Sequence, residues 1–115
     1  MQVRVRTVAG IAVLELEGRL SQDDGPSTLY DRVVEQLDRG HSRVLLDLGR
    51  VAAADSSGLG ELIRCQATCS RRGASLELTG VAGKVRALLA ICRLGEIMPI
   101  HAEDAAALAG ARSEA

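Results

Sequence analysis

The segment Val44-Leu45-Leu46-Asp47-Leu48 places four apolar side chains in five consecutive positions. It lacks the polar-apolar alternation of a strand with one face in water. A run this short and this continuous suits a strand covered on both faces, and such strands belong to sheets flanked by helices. We read it as the central strand. Helical spacing lies on both sides of it, which narrows the fold to an α/β sandwich with a largely parallel or mixed sheet and right-handed crossovers.

The flanking segments fill in that architecture. Gln2 to Val8 sets Val3, Val5 and Val8 opposite Arg4 and Arg6, and Ile11 to Glu17 sets Ile11, Val13, Glu15 and Glu17 opposite Leu14 and Leu16; with Ala9-Gly10 between them they read as a hairpin. Gly18 to Pro26 is turn chemistry, with Pro26 at the first position of a helix that runs to about Arg39 and carries Leu29, Tyr30, Val33, Val34 and Leu37. Beyond the central strand, a helix from about Ser57 to Arg71 turns Leu59, Leu62, Ile63 and Ala67 inward, and Gly60 is the residue that lets it approach the sheet. Ser75 to Thr79 alternates as a strand, Gly83 to Arg93 as a helix with Val85, Leu88, Leu89 and Cys92 at helical spacing, and Ile97 to Ile100 as a short edge strand limited by Pro99. Glu103 to Ala109 is Ala-rich and helix-prone, and Gly110 to Ala115 is expected to fray. The expectation is a single domain over residues 1–115, with four to five strands, about four helices, and the helices mainly on one face.

Composition excludes several function classes. The 115 residues are enough for one domain with its own core, and 47% hydrophobic with 25% charged residues is ordinary for a globular chain. Tyr30 is the single aromatic, so stacking platforms for single-stranded nucleic acid are missing. Fourteen basic against fifteen acidic residues give a net charge of −1, which supplies no field toward nucleic acid or an anionic membrane. The amino-terminal stretch alternates charge with apolar residues and has no signal-peptide core, and no apolar run reaches bilayer-spanning length. A cytoplasmic protein is expected, without a membrane segment or direct nucleic-acid contact. Cys65, Cys69 and Cys92 lie in helical patterns, so all three are read as reduced core thiols. Cys65 and Cys69 are four apart but lack the further ligands a structural zinc needs, and no metal or cofactor is expected.

The stretch that carries chemistry is Asp55-Ser56-Ser57-Gly58-Leu59-Gly60, a strand-to-helix turn at the carboxyl edge of the sheet, where α/β proteins place their sites. Ser and Asp before a helix are N-cap residues, because their oxygens accept hydrogen bonds from first-turn N–H groups that have no helical partner. One cap needs one short polar side chain, whereas three stand here in succession. Leu59 and Gly60 occupy the positions where a capping box would have Glu or Gln. The spare hydroxyl is not a hydrolase nucleophile on this pattern. Gly-x-Ser-x-Gly is not matched, His41 belongs to the opposite edge of the sheet, and His101 follows the edge strand, so no catalytic residue is assigned. Phosphate-binding loops of the Gly-x-x-x-x-Gly-Lys or Gly-x-Gly-x-x-Gly types are absent as well. Arg4 with Arg6, and Arg71 with Arg72, read as solvated surface.

The run Val44 to Val51 followed by Asp55-Ser56-Ser57-Gly58-Leu59-Gly60, with Gly18-Arg19-Leu20 upstream and the Val85 to Leu94 helix downstream, resembles the STAS domain of bacterial anti-sigma factor antagonists over almost the whole chain. The resemblance implies a STAS-type fold and a non-enzymatic binding module. It places a regulatory phosphate on Ser57, added by a partner that is both anti-sigma factor and serine kinase and removed by a phosphatase. The unphosphorylated form would bind that partner and free a sigma factor. The residues implied in partner binding are Asp55, Ser56, Ser57 and Gly58, with Ser21, Asp23 and Asp24 from the neighbouring loop, and the molecule would be a monomer or weak dimer. Ser56 is left as the helix cap once Ser57 takes the phosphate. One position departs from the family pattern: Ser21 stands where an acid often follows Gly-x-Leu. The other reading is a non-switching STAS scaffold subunit of a transporter or stress-signalling assembly.

Overall fold

The computed structural model describes residues 1–21 and 28–101. Strands β1 (Gln2–Val8) and β2 (Ile11–Leu20) precede helix α1 (Thr28–Asp38), strand β3 (Arg43–Ala54), helix α2 (Ser56–Arg71), strand β4 (Ser75–Thr79), helix α3 (Gly83–Ile91), a 3-10 turn (Leu94–Glu96) and strand β5 (Ile100–His101). They form one mixed sheet in the order β1-β2-β3-β4-β5, in which β1 pairs antiparallel with β2 and the other pairs are parallel. β3 is thus central, as its apolar run requires. The expected terminal helix, Asp23, Asp24 and Pro26 lie outside the described residues. No helix among those described is long and apolar enough to cross a membrane.

The two sides of the sheet carry unequal apolar loads. Leu14, Leu46 and Leu78 are cross-strand neighbours on the helix side. They share the main core with Leu29 and Val33 of α1, Leu59, Leu62 and Cys65 of α2, and Val85 and Leu89 of α3. On the other side Ile11, Val13 and Leu45 form a smaller buried cluster with Val8 against it. Val8 therefore belongs with Ile11 and Val13 rather than with Val3 and Val5, because a strand alternates strictly and Val8 shares the parity of Arg4 and Arg6.

Several sequence expectations change. β2 continues through Gly18-Arg19-Leu20 instead of turning at Gly18, with register shifts against β3 between Glu15 and Glu17 and between Gly18 and Arg19. Gly18, at φ 117°, takes up a backbone conformation that L side chains rarely adopt. β3 runs six residues past Leu48, to Ala54. β5 is Ile100–His101 rather than Ile97 to Ile100. The buried side of α2 is Gly58, Leu59, Glu61, Leu62, Cys65, Thr68 and Cys69, while Ile63 is 46% exposed and Ala67 is exposed. Ile63 sits one residue, about 100° of helix, beyond Leu62 and turns out of the core. Of the three thiols, Cys65 and Cys69 are buried and Cys92 is exposed. Desolvation pushes the Cys65 thiol up to about 12, so it stays protonated and behaves as a core residue.

Candidate functional site

The carboxyl ends of β2 and β3 run side by side, with Leu20 opposite Ala54. The next residue of each strand end enters the site. Asp55 N–H donates to Leu20 O at 3.2 Å, which ties the serine loop to β2. Asp55 itself is extended (φ −123°, ψ 179°) and α2 starts at Ser56. Its carboxylate Oδ1 accepts the Gly58 N–H at 2.9 Å, so Asp55, and not Ser56, is the N-cap. The extended backbone decides this: a cap residue stands outside the helix, whereas Ser56 is already its first helical residue and is exposed.

Ser57 then has no capping duty. Its Oγ donates to Asp55 Oδ1 at 2.6 Å and lies 3.3 Å from Ser21 Oγ, in a part-buried setting. Ser21 is nearly buried, at 8% exposure. Arg19 Nη2 reaches Asp55 Oδ2 at 3.4 Å from a side chain that is 62% exposed. Asp55 is held well below the usual carboxylate range, by the Ser57 hydroxyl first, then by the Gly58 N–H and the Ser21 hydroxyl, with Arg19 adding to them against a small desolvation cost. A carboxylate held ionised in this way is a weak base, and its hydrogen bond orients Ser57 Oγ.

Gly58 is the tight point. A Cβ there would lie 2.0 Å from Leu20 O, so this glycine, rather than Gly60, allows the helix start to pass β2. Gly60 has open space around it.

Of the seven residues named from sequence as a partner-binding set, the fold brings Asp55, Ser56, Ser57, Gly58 and Ser21 to one edge of the sheet. Asp23 and Asp24 lie outside the described residues. Arg19 was missed because it read as a turn residue; the strand after Gly18 carries it to the site, and the signals that could have found it are its charge next to Leu20-Ser21 and its place in the Gly18-Arg19-Leu20 segment of the resemblance. The two histidines are engaged elsewhere. His41 Nδ1 is 3.4 Å from Gly10 O, and His101 Nε2 is 2.6 Å from Glu77 Oε1. No group of three or more His, Cys, Asp or Glu side chains among the described residues is placed to hold a metal ion.

Comparison with known proteins places this geometry. A comparison of the sequence with curated proteins finds no match. The Thermotoga maritima protein described as an anti-sigma factor antagonist superposes with a TM-score of 0.84 at 22% identity, over 96% of this chain and 94% of that one. A sulfate transporter family protein from Wolinella succinogenes gives 0.72 at 24% identity, over 93% and 88%. The Bacillus cell fate determinant SpoIIAA in its phosphorylated form gives 0.66 at 17% identity, over 91% and 96%. At these identities the likeness is one of fold. The family model described as "Mlab, STAS domain" matches residues 3–100, all of the sheet except its end residues Gln2 and His101, and the site with it, and the chain belongs to the STAS domain family.

Proposed function

We propose that the protein is an anti-sigma factor antagonist that works by partner switching. Unphosphorylated, it binds an anti-sigma factor that is also a serine kinase and so releases a sigma factor; phosphorylated on Ser57, it lets that partner go, and a phosphatase resets it. The observation that carries the reading is the state of Ser57. Its Oγ is oriented by Asp55 at 2.6 Å and by Ser21 at 3.3 Å, it does no capping, and neither histidine of the chain attends it. A hydroxyl that is oriented but not activated suits a substrate of someone else's chemistry. In the transfer, the γ-phosphoryl of a nucleoside triphosphate forms a bond to Oγ as the β–γ bridge breaks, and the hydroxyl proton leaves to the kinase or to solvent. The new charge of about −2 falls beside ionised Asp55, on a surface that must lose water to bind a partner, and it favours separation. Catalysis by this chain itself has no part in the proposal. A cytoplasmic setting goes with it, since the kinase and sigma factor act there.

The experiment is to incubate the protein with ATP and the histidine-kinase-like ATPases of its own genome, then locate phosphate by mass spectrometry. Phosphate on Ser57, abolished in Ser57→Ala and accompanied by loss of the kinase complex, is the expected result. If no pairing modifies Ser57 while the unmodified protein copurifies with a transporter or stress complex, the protein is a scaffold subunit and switching is wrong.

A further inference from the structure

Adding a phosphoryl group to Ser57 changes what each neighbour can do. Oγ loses its hydrogen, so it can no longer donate to Asp55 Oδ1, and Asp55 becomes a like charge facing the phosphate. Ser21 Oγ, 3.3 Å from Ser57 Oγ, keeps its own hydrogen and can turn it from Asp55, whose carboxylate it helps hold ionised, to the phosphate. Arg19 brings a guanidinium within 3.4 Å of Asp55 Oδ2, so it lies at the rim of the same loop, and its side chain is exposed enough to turn. A guanidinium offers two parallel N–H bonds to phosphate oxygens and is held more strongly by a dianion than by one carboxylate.

We infer that Arg19 and Ser21 form an intramolecular receptor for the phosphoryl group of phosphorylated Ser57. The inference rests on the phosphorylation reading above and adds the residues that hold the mark. Arg19 turns from Asp55 to the phosphate, and Ser21 donates from the wall that Leu20 and Asp55 fix through their backbone bond of 3.2 Å. Asp55 keeps the Gly58 N–H, so the helix start stays capped in both states. The modified loop is thus held in one arrangement, and the partner is displaced by charge instead of by melting of the loop. A serine at position 21 is essential to this, since a carboxylate there would stand against the phosphate.

The test needs no kinase. Phosphoserine is inserted at position 57 during translation, and the second ionisation of the phosphate is followed by ³¹P NMR against pH. Relative to the phosphorylated parent, Arg19→Ala should raise that pKa by about one unit, as expected when an opposite charge within contact range is removed. Ser21→Ala alters no charge and should raise it by about half a unit, reporting the lost hydrogen bond. Ser21→Asp should raise it at least as much as Arg19→Ala. Arg39→Ala, which removes the same charge at the far end of α1, should leave it in place. Titrations of Arg19→Ala and Ser21→Ala that superimpose on the parent would overturn the receptor, and a shift in Arg19→Ala with none in Ser21→Ala would overturn the pair. Arg19 is exposed, so its variant reports on the site even if Ser21→Ala lowers stability. Failure of every kinase to modify Ser57 would sink the partner reading and leave this result standing, whereas superimposed titrations would sink the receptor alone.

Discussion

A methyl group on Gly58 would stand 2.0 Å from a backbone carbonyl, and neither α2 nor β2 can yield without breaking the Asp55 N–H to Leu20 O bond. Gly58→Ala should therefore cost about 2 kcal/mol or more in urea denaturation, the range for forced overpacking, even though alanine is the better helix former. Gly60→Ala, in open space on the same helix, should be neutral to stabilising, and a fall for Gly60→Ala matching that of Gly58→Ala would show that the close approach has been misread. Which of three consecutive polar residues caps the helix was not legible from sequence, because Asp and Ser are nearly equal caps. The choice depends on where the backbone turns helical. That is fixed by Asp55 N–H meeting Leu20 O across 35 residues of chain, a contact no local pattern carries.

At the scale of elements, β5 offers little ladder to hold it, being only Ile100–His101 paired with Leu78 and Thr79. Its polar anchor is the hydrogen bond between His101 and Glu77. Glu77, 5% exposed on β4, takes Arg43 Nε and Nη2 of β3 at 2.5 and 2.8 Å, Ser75 Oγ at 3.0 Å and His101 Nε2 at 2.6 Å. Burial raises the Glu77 pKa, but the bonds from Arg43, His101 and Ser75 together outweigh it and hold the carboxyl below its ordinary value. The unfolded chain then binds its proton at a higher pH than the folded one. Glu77 stabilises the fold fully above about pH 4.5, its ordinary value, and the contribution is lost as pH falls through the lower folded value. Melting temperatures should hold steady from neutral pH to about pH 5 and fall below it. Glu77→Gln should start lower at neutral pH and show a shallower acid limb; an acid limb of unchanged slope would assign the loss to other carboxylates. Arg43→Ala leaves Glu77 with a buried charge less its principal partner and should cost about 3 kcal/mol or more. Sequence showed Glu77 only as the polar member of an alternating strand. Apart from Ser75 its partners come from two other strands, so the cluster became visible only with the register.

For the molecule as a whole, the layered α/β arrangement was legible because each signal was local. Four apolar residues in five marked β3, four-residue spacing of Leu29, Val33 and Leu37 marked α1, and alternation marked the β1-β2 hairpin. What sequence hid was geometry between distant segments, chiefly the irregular β2 that carries Arg19 and Ser21 up beside Asp55. The face of α2 is hard to read because Ile63 is as apolar as Leu62, while the side that is buried continues from Leu62 through Cys65, Thr68 and Cys69 at helical spacing, two of them thiols and one a hydroxyl. The same separation of scales bears on switching. Stability resides in the core shared by the sheet and three helices, and Ser57 lies outside that core, at a helix start that tolerates negative charge. Ser57→Asp should therefore melt within a few degrees of the parent while its affinity for the kinase partner falls about tenfold or more by calorimetric titration, the loss expected when a charge meets a desolvated interface. A melting transition that collapsed together with binding would mean that the switch is unfolding of the domain. A variant that both melted and bound like the parent would mean that Ser57 lies outside the contact.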